Sequence, residues 1–106
     1  MPQGVVPVQP YRPGGLYSAL NVTAAAVVKA SAGLIYRITI NTAGSAGTLT
    51  INDAATTGAA AAGNVVYNAA FGALTGGSVV TLEFPMLNGI VVSAIPTGAV
   101  IAIAYS

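Results

Sequence analysis

The chain is expected to be all-β: a single small antiparallel β-sandwich or jelly-roll-like barrel of about seven to eight strands, behind an extended N-terminal arm. Three observations lead there. From Asn21 onward apolar residues recur with a period of two, which sends alternate side chains to opposite faces of a strand. Clusters of Gly, Asn, Ser, Thr and Pro punctuate the chain at intervals of about ten residues. No segment keeps a helical period over several turns. The length, 106 residues, suits one domain.

Residues 1–20 read as the arm and residues 21–106 as the sandwich. Pro2, Pro7, Pro10 and Pro13 crowd the start, with Gly4, Gly14 and Gly15 among them. Proline locks φ and offers no backbone N–H, so an extended, polyproline-like stretch is expected. Yet Val5, Val6, Val8, Tyr11, Arg12, Leu16 and Tyr17 lie in it. Either the segment is a solvated tail, or it is an arm laid against a neighbouring subunit. A flexible linker would be more polar, and only an arm gains by burying apolar groups. These residues are therefore the candidate interface with a neighbouring subunit. Tyr11 and Tyr17 supply aromatic rings with a polar tip, a type favoured at protein contacts.

Val22–Ala30 reads as the first strand, and Ser31–Gly33 as a tight connection. Leu34–Ile40 follows, rich in β-branched and aromatic residues. Leu34, Tyr36, Ile38 and Ile40 are expected to face the core, because the opposite set, Ile35, Arg37 and Thr39, carries a charge. Asn41–Gly47 has turn chemistry. Thr48–Asp53 alternates, with Leu49 and Ile51 inward and Thr48, Thr50 and Asn52 outward. Ala54–Asn64 is a long loop of small residues, in which Gly58 and Gly63 bracket the alanines too closely for a stable helix. Val65–Phe71 is the next strand, and Gly72–Gly77 a loop. Ser78–Phe84 places Val80, Leu82 and Phe84 on one side and Thr81 and Glu83 on the other. Pro85 is expected to end it, since proline cannot donate to a ladder. An Asn88-Gly89 turn signal opens the strand Asn88–Ile95, and Pro96, Thr97 and Gly98 turn the chain into Ala99–Ser106. No fixed-period repeat is present.

Arg12, Lys29, Arg37, Asp53 and Glu83 are the only formally charged side chains, 5% of residues against 55% hydrophobic. An ordinary domain has about 25% charged residues. So thin an ionic coat leaves copies little to repel each other with, and self-association is expected. The net charge is +1 and the basic residues lie in separate segments, so neither nucleic acid nor an anionic membrane surface is an expected partner. The apolar runs fall short of the roughly 20 residues of a spanning helix. The start lacks the basic-then-apolar pattern of a signal peptide, so a soluble, unprocessed protein, intracellular when made, is expected.

Catalytic chemistry finds few candidates. Without Cys there is no disulfide or thiolate site, and without His the commonest general base and metal ligand is missing. No cofactor or metal is expected. Asp53 and Glu83 are the only carboxylates; one closes a strand and the other sits on an exposed strand face, with no basic side chain near either in sequence. Asp53 is read instead as a cap of the turn into the loop that follows it. Ser31 with Lys29 is a poor nucleophile–base pair; Lys29 reads as an edge charge that discourages stray strand pairing. The glycine-rich stretches lack the Lys and the helix of a phosphate loop. Asn21-Val22-Thr23 matches a glycosylation acceptor with no secretion signal to support it. An enzyme is not expected.

Four segments share a recognisable pattern. Lys29–Tyr36 is a hairpin of lysine, small residues, Gly, Leu and an aromatic; Thr48–Asp53 is an alternating threonine strand closed by Asp; Phe84–Val92 runs from Phe-Pro to Gly-Ile; Ala99–Tyr105 is a terminal strand ending in an aromatic. In these, residues 19–106 resemble small β-sandwich virion proteins of tailed bacteriophages. The resemblance implies a non-enzymatic structural protein with no catalytic residues or cofactor. It implies a capsid decoration (cement) protein, which binds the assembled head and stabilises contacts between capsomers, or else a tail, neck or head-fibre component. The major capsid protein is then the partner, and the virion surface the location after synthesis in the host cytoplasm. The Pro-rich arm lies outside the shared pattern and favours the cement role. Icosahedral shells offer threefold sites, so a homotrimer is the expected oligomer. A surface carbohydrate-binding sandwich is the remaining alternative, weakened by the absence of Trp.

Overall fold

The computed structural model describes residues 17–106. Of the candidate interface, Val5, Val6, Val8, Tyr11, Arg12 and Leu16 lie outside the described residues.

Among the described residues eight strands follow one another: β1 (Tyr17–Val22), β2 (Ala26–Lys29), β3 (Gly33–Thr42), β4 (Thr48–Asn52), β5 (Val65–Ala70), β6 (Ser78–Met86), β7 (Ile90–Ala94) and β8 (Val100–Tyr105). Short 3-10 turns occupy Thr57–Ala59 and Ala62–Asn64 before β5, and Phe71–Ala73 after it. The strands form two four-stranded sheets, β1-β8-β3-β6 and β2-β7-β4-β5. Every pairing is antiparallel, and the pairs nest: β1 with β8, β2 with β7, β3 with β6, β4 with β5. The chain is thus one long hairpin rolled upon itself, which is jelly-roll topology. Both sequence expectations, a sandwich and a jelly roll, describe this arrangement.

The nesting decides which connections meet. The β2–β3, β4–β5 and β6–β7 connections gather at the same end of the sandwich as the start of β1 and the C-terminal residue, whose N–H donates to Leu34 O at 2.9 Å. The other four connections gather at the opposite end, where Ala46 and Thr97 form an isolated bridge. There Gly44, at φ +87°, lies so close to Thr97 O that a Cβ would meet it at 2.8 Å, so a side chain is excluded both by conformation and by space.

The core lies between the sheets and is built of branched aliphatics. Ile38 pairs across with Ile103 and Ile40 with Ile101, and all four are buried, as are Leu49, Ile51, Ile90 and Val92 from the facing sheet. Each such side chain contributes about 1.5–3 kcal/mol by leaving water. Small residues elsewhere make the layer thin, so the fold leans on these few positions.

Four expectations need correction. First, the single strand Val22–Ala30 is two strands in different sheets. A bulge between Ala19 and Val22, with Asn21 at φ +54°, bends the chain, and Thr23–Ala25 carries it across. Strands commonly turn sandwich corners through bulges. Second, Tyr17–Leu20 belongs to β1, paired with β8, and not to the arm. Third, Tyr36, Ile38 and Ile40 are buried as expected, but the alternation does not extend to Leu34. Ile35 is fully buried and Leu34 only half-buried, because register shifts between Ile35 and Arg37 on both sides of β3 reset the alternation. Fourth, Pro85 does not stop β6, which continues to Met86 with Pro85 opposite Leu34. The strand is at the edge of its sheet, where a missing N–H costs no ladder bond.

Candidate functional site

Two features stand out: a polar loop assembly at the end that holds the β4–β5 and β6–β7 connections, and a set of exposed apolar side chains along the sandwich edges.

The polar assembly begins with Asn52. It lies on the face of β4 opposite Leu49 and Ile51, as the alternation expects, yet it is only 1% exposed. The loop that follows folds back over it. Its Nδ2 donates to Ala61 O at 3.1 Å and to Asn64 Oδ1 at 2.7 Å, while Ser93 Oγ donates to its Oδ1 at 2.5 Å. Asn64 in turn accepts from Ala61 N at 3.0 Å and donates to Ala59 O at 2.9 Å. The alanine-rich loop is held by few side chains: Thr56 Oγ1 accepts from Ala59 N at 3.2 Å, and Asn52 and Asn64 bind the rest of its backbone. An open cleft of about 410 Å³ remains between loop and sheet, lined by Thr50, Asn52, Thr57, Ala61, Val65 and Ser93 among others.

Asp53 does not cap the loop that follows it. Its carboxylate reaches across to the β6–β7 turn and accepts from the backbone N–H groups of Leu87 (3.0 Å), Asn88 (2.7 Å) and Gly89 (3.3 Å). Turn chemistry in sequence showed the residue type; the partners, over thirty positions away, are brought to it only by the roll. Burial pushes this carboxyl up, but the hydrogen bonds from Leu87, Asn88 and Gly89 outweigh it, and the net result lies below the ordinary carboxylate value. Gly89 has no room for a side chain, since a Cβ would lie 2.6 Å from Lys29 O. A second cleft, about 300 Å³, borders this clamp and is lined by Asp53, Asn64, Val65, Val66, Phe84 and Asn88 among others. The carboxylate is committed to the backbone of the neighbouring turn, so its visible role is to join two loops. Among the described residues no group of three His, Cys, Asp or Glu could hold a metal ion, and no helix is long and apolar enough to cross a membrane.

The apolar feature is more distinctive. Among the described residues the exposed large hydrophobics are Tyr17, Leu20, Val27, Val65, Phe71, Val79, Phe84 and Leu87. Tyr17 and Leu20 are on β1, Val27 on β2, Val65 on β5, and Val79 and Phe84 on β6. Phe71 directly follows β5 and Leu87 directly follows β6. These four strands are the edges of the two sheets, and the four central strands contribute none. Leu20 and Leu87 are the most exposed of these, at 73% and 76%. Tyr17, the one member of the candidate interface within the described residues, is 59% exposed and sits opposite Tyr105, with ring centroids 5.7 Å apart. Sequence reasoning missed the others because alternation reports which face a residue takes, not whether its strand has a neighbour. Comparison with family models, curated proteins and solved structures returns no match for this chain.

Proposed function

We propose that this protein is a structural component of a phage virion: a capsid decoration protein that binds the assembled head and strengthens contacts between capsomers. The supporting observation is that the exposed large apolar side chains among the described residues lie on the edge strands, or directly after them, of a jelly roll that carries few charges. Such edges need companions, and a shell supplies many identical ones. A protein that binds the assembled shell and not the free subunit stabilises the shell by mass action, and many weak contacts made by bridging copies reinforce each other. With so few charges, attachment rests on apolar burial. The residue pattern shared with small phage virion sandwiches points the same way. The major capsid protein is the partner, and neither catalysis nor a cofactor is involved.

Immunogold labelling of virions from the phage that encodes the chain tests this. Label spread over the whole head in many copies is expected. Label confined to the tail or to one vertex would transfer the protein to the neck or fibre class, and particles without label would end the virion assignment.

A further inference from the structure

We infer that the Asn88–Gly89 turn is a site of spontaneous covalent modification: an asparagine deamidation that the Asp53 clamp holds off while the chain is folded, and that undoes the clamp once it has happened. The inference stands on the clamp alone and needs neither the phage head nor an assembly.

Asn88 is the one asparagine of the chain that a glycine follows. In the reaction the backbone nitrogen of Gly89 bonds to Cγ of Asn88. The bond from Cγ to the side-chain nitrogen breaks, and ammonia leaves with the proton that the Gly89 nitrogen gives up. A cyclic imide results. Water then opens the imide at either carbonyl and leaves aspartate or isoaspartate at position 88. Water enters, ammonia departs, and nothing is oxidised or reduced. Glycine favours ring closure, because no Cβ hinders its nitrogen or the turning of the backbone. Asn88 is exposed, so water reaches its side chain.

The fold blocks the first step at the nucleophile. That nitrogen must shed its proton, and the proton is committed: Gly89 N–H donates to Asp53 Oδ1 at 3.3 Å, beside the 2.7 Å bond from Asn88 N–H to the same oxygen. A carboxylate next to the amide also opposes the negative charge its nitrogen would gain. Leu87 N–H donates to the other carboxylate oxygen at 3.0 Å. Three consecutive amides are thus pinned, which resists the backbone rotation that brings Gly89 N onto Cγ of Asn88. Gly89 is itself buried, with Ala54 O and Lys29 O so near that a Cβ would collide with both. The product has no place in this arrangement. The Asn88 side chain hydrogen-bonds to Asp53, and as a carboxylate it would repel Asp53 instead. Isoaspartate lengthens the backbone by a methylene just where Gly89 has no room to shift.

Peptide mapping by mass spectrometry, during incubation at mildly alkaline pH, follows the conversion of amide to acid at residue 88. Wild type unfolded in guanidinium chloride is expected to convert, and folded wild type about tenfold more slowly or less, the factor that a hydrogen bond to a charged acceptor is worth. In native buffer Asp53→Ala is expected to convert about tenfold faster than wild type or more. Ile40→Val provides the control: Ile40 is buried and pairs with Ser78 at the far end of β6, so the variant loosens the core without touching the clamp. It is expected to convert more slowly than Asp53→Ala. Folded wild type as fast as unfolded, Asp53→Ala no faster than wild type, or Ile40→Val as fast as Asp53→Ala would overturn the inference. Should Asp53→Ala fail to fold, Asp53→Asn serves instead. Its amide oxygen holds the Gly89 N–H less tightly than a carboxylate, so conversion about threefold faster than wild type or more is expected, and no gain overturns the proposal. Converted chains carry an added negative charge and separate by ion exchange. They are expected to unfold at a lower guanidinium concentration than the parent; an equal midpoint would overturn the claim that the modification undoes the clamp.

Discussion

Asp53 carries an unusual share of the loop architecture, because three backbone N–H groups of one turn converge on its carboxylate. Hydrogen bonds to a charged acceptor are worth more than neutral ones, although water can reach the Leu87 and Asn88 amides once the acceptor is gone. Asp53→Ala is therefore expected to cost about 2 kcal/mol in urea unfolding at pH 7, and Asp53→Asn less, since an amide oxygen can still accept. The pH dependence has a definite sign. The folded-state value is depressed, so the unfolded chain binds the proton first as pH falls. The stabilisation is complete above the ordinary carboxylate range, near pH 4, and is lost as pH drops through the folded-state value. Wild type should weaken between pH 5 and 2 more steeply than Asp53→Asn; parallel curves would show that the clamp contributes nothing. Glu83 offers a second residue-level test. At φ +48° a branched side chain is strained and glycine is not. Glu83→Gly should leave thermal stability unchanged or raise it by up to about 1 kcal/mol, whereas Glu83→Val, despite valine's liking for strands, should lower it by about 1–2 kcal/mol.

Strand β3 shows at the level of elements what alternation can and cannot reveal. Its existence, its β-branched composition and the burial of Ile38 and Ile40 were legible, because period-two patterning reports the two faces of any strand. The phase at its start was not. The rule that Arg37 must face water was right, but the inference that Ile35 shares its face failed, because the register shifts flanking Tyr36 fall between them. A bulge leaves no composition signal here: Tyr36 and Glu83 are ordinary strand residues, and the shift is imposed by fitting three strands to one another. Ile35→Ala should accordingly cost about 3 kcal/mol and Leu34→Ala about 1 kcal/mol, the reverse of the order that plain alternation implies. Chemical denaturation of the two variants checks this, and a larger loss at Leu34 would place the phase back where the uninterrupted pattern puts it. The same reasoning explains the candidate site. Asn52 and Asp53 were visible as polar residues ending a strand, but their partners, Ser93 and the Leu87–Gly89 turn, are set by which strands become neighbours. The exposed edges were invisible for that reason too: Val27 and its cross-strand partner Val91 are both strand valines on the same face, yet Val27, on the rim strand β2, is 43% exposed and Val91, on the central strand β7, is fully buried.

For the molecule as a whole, the placement of β1 changes where the N-terminal segment can be cut. Tyr17 pairs with Tyr105 and Ser18 with Ala104, so β1 covers one side of β8, and Ala19 and Val22 pack against the core. Deleting residues 1–16 leaves all of those pairs intact and should shift the melting temperature by no more than a few degrees. Deleting residues 1–22 removes the strand, turns β8 into an edge and uncovers part of the core at Ile101 and Ile103, which β1 flanks. A thin core of this kind has little reserve, since a folded domain keeps only about 5–15 kcal/mol in hand. The longer deletion should therefore yield aggregated or unfolded material. The shorter one separates folding from attachment. It removes Val5, Val6, Val8, Tyr11, Arg12 and Leu16 while keeping all eight described strands. If that segment lies on a neighbouring subunit of a shell, the truncated protein should keep its fold and oligomeric mass but lose about tenfold or more in occupancy when co-sedimented with heads. Occupancy of full-length protein should change little between low and high salt, because so few charges are available to be screened. Equal occupancy of full-length and truncated chains would remove the segment from the contact, and a steep loss in salt would show that the few ionic groups, not the apolar edges, hold the protein to its shell.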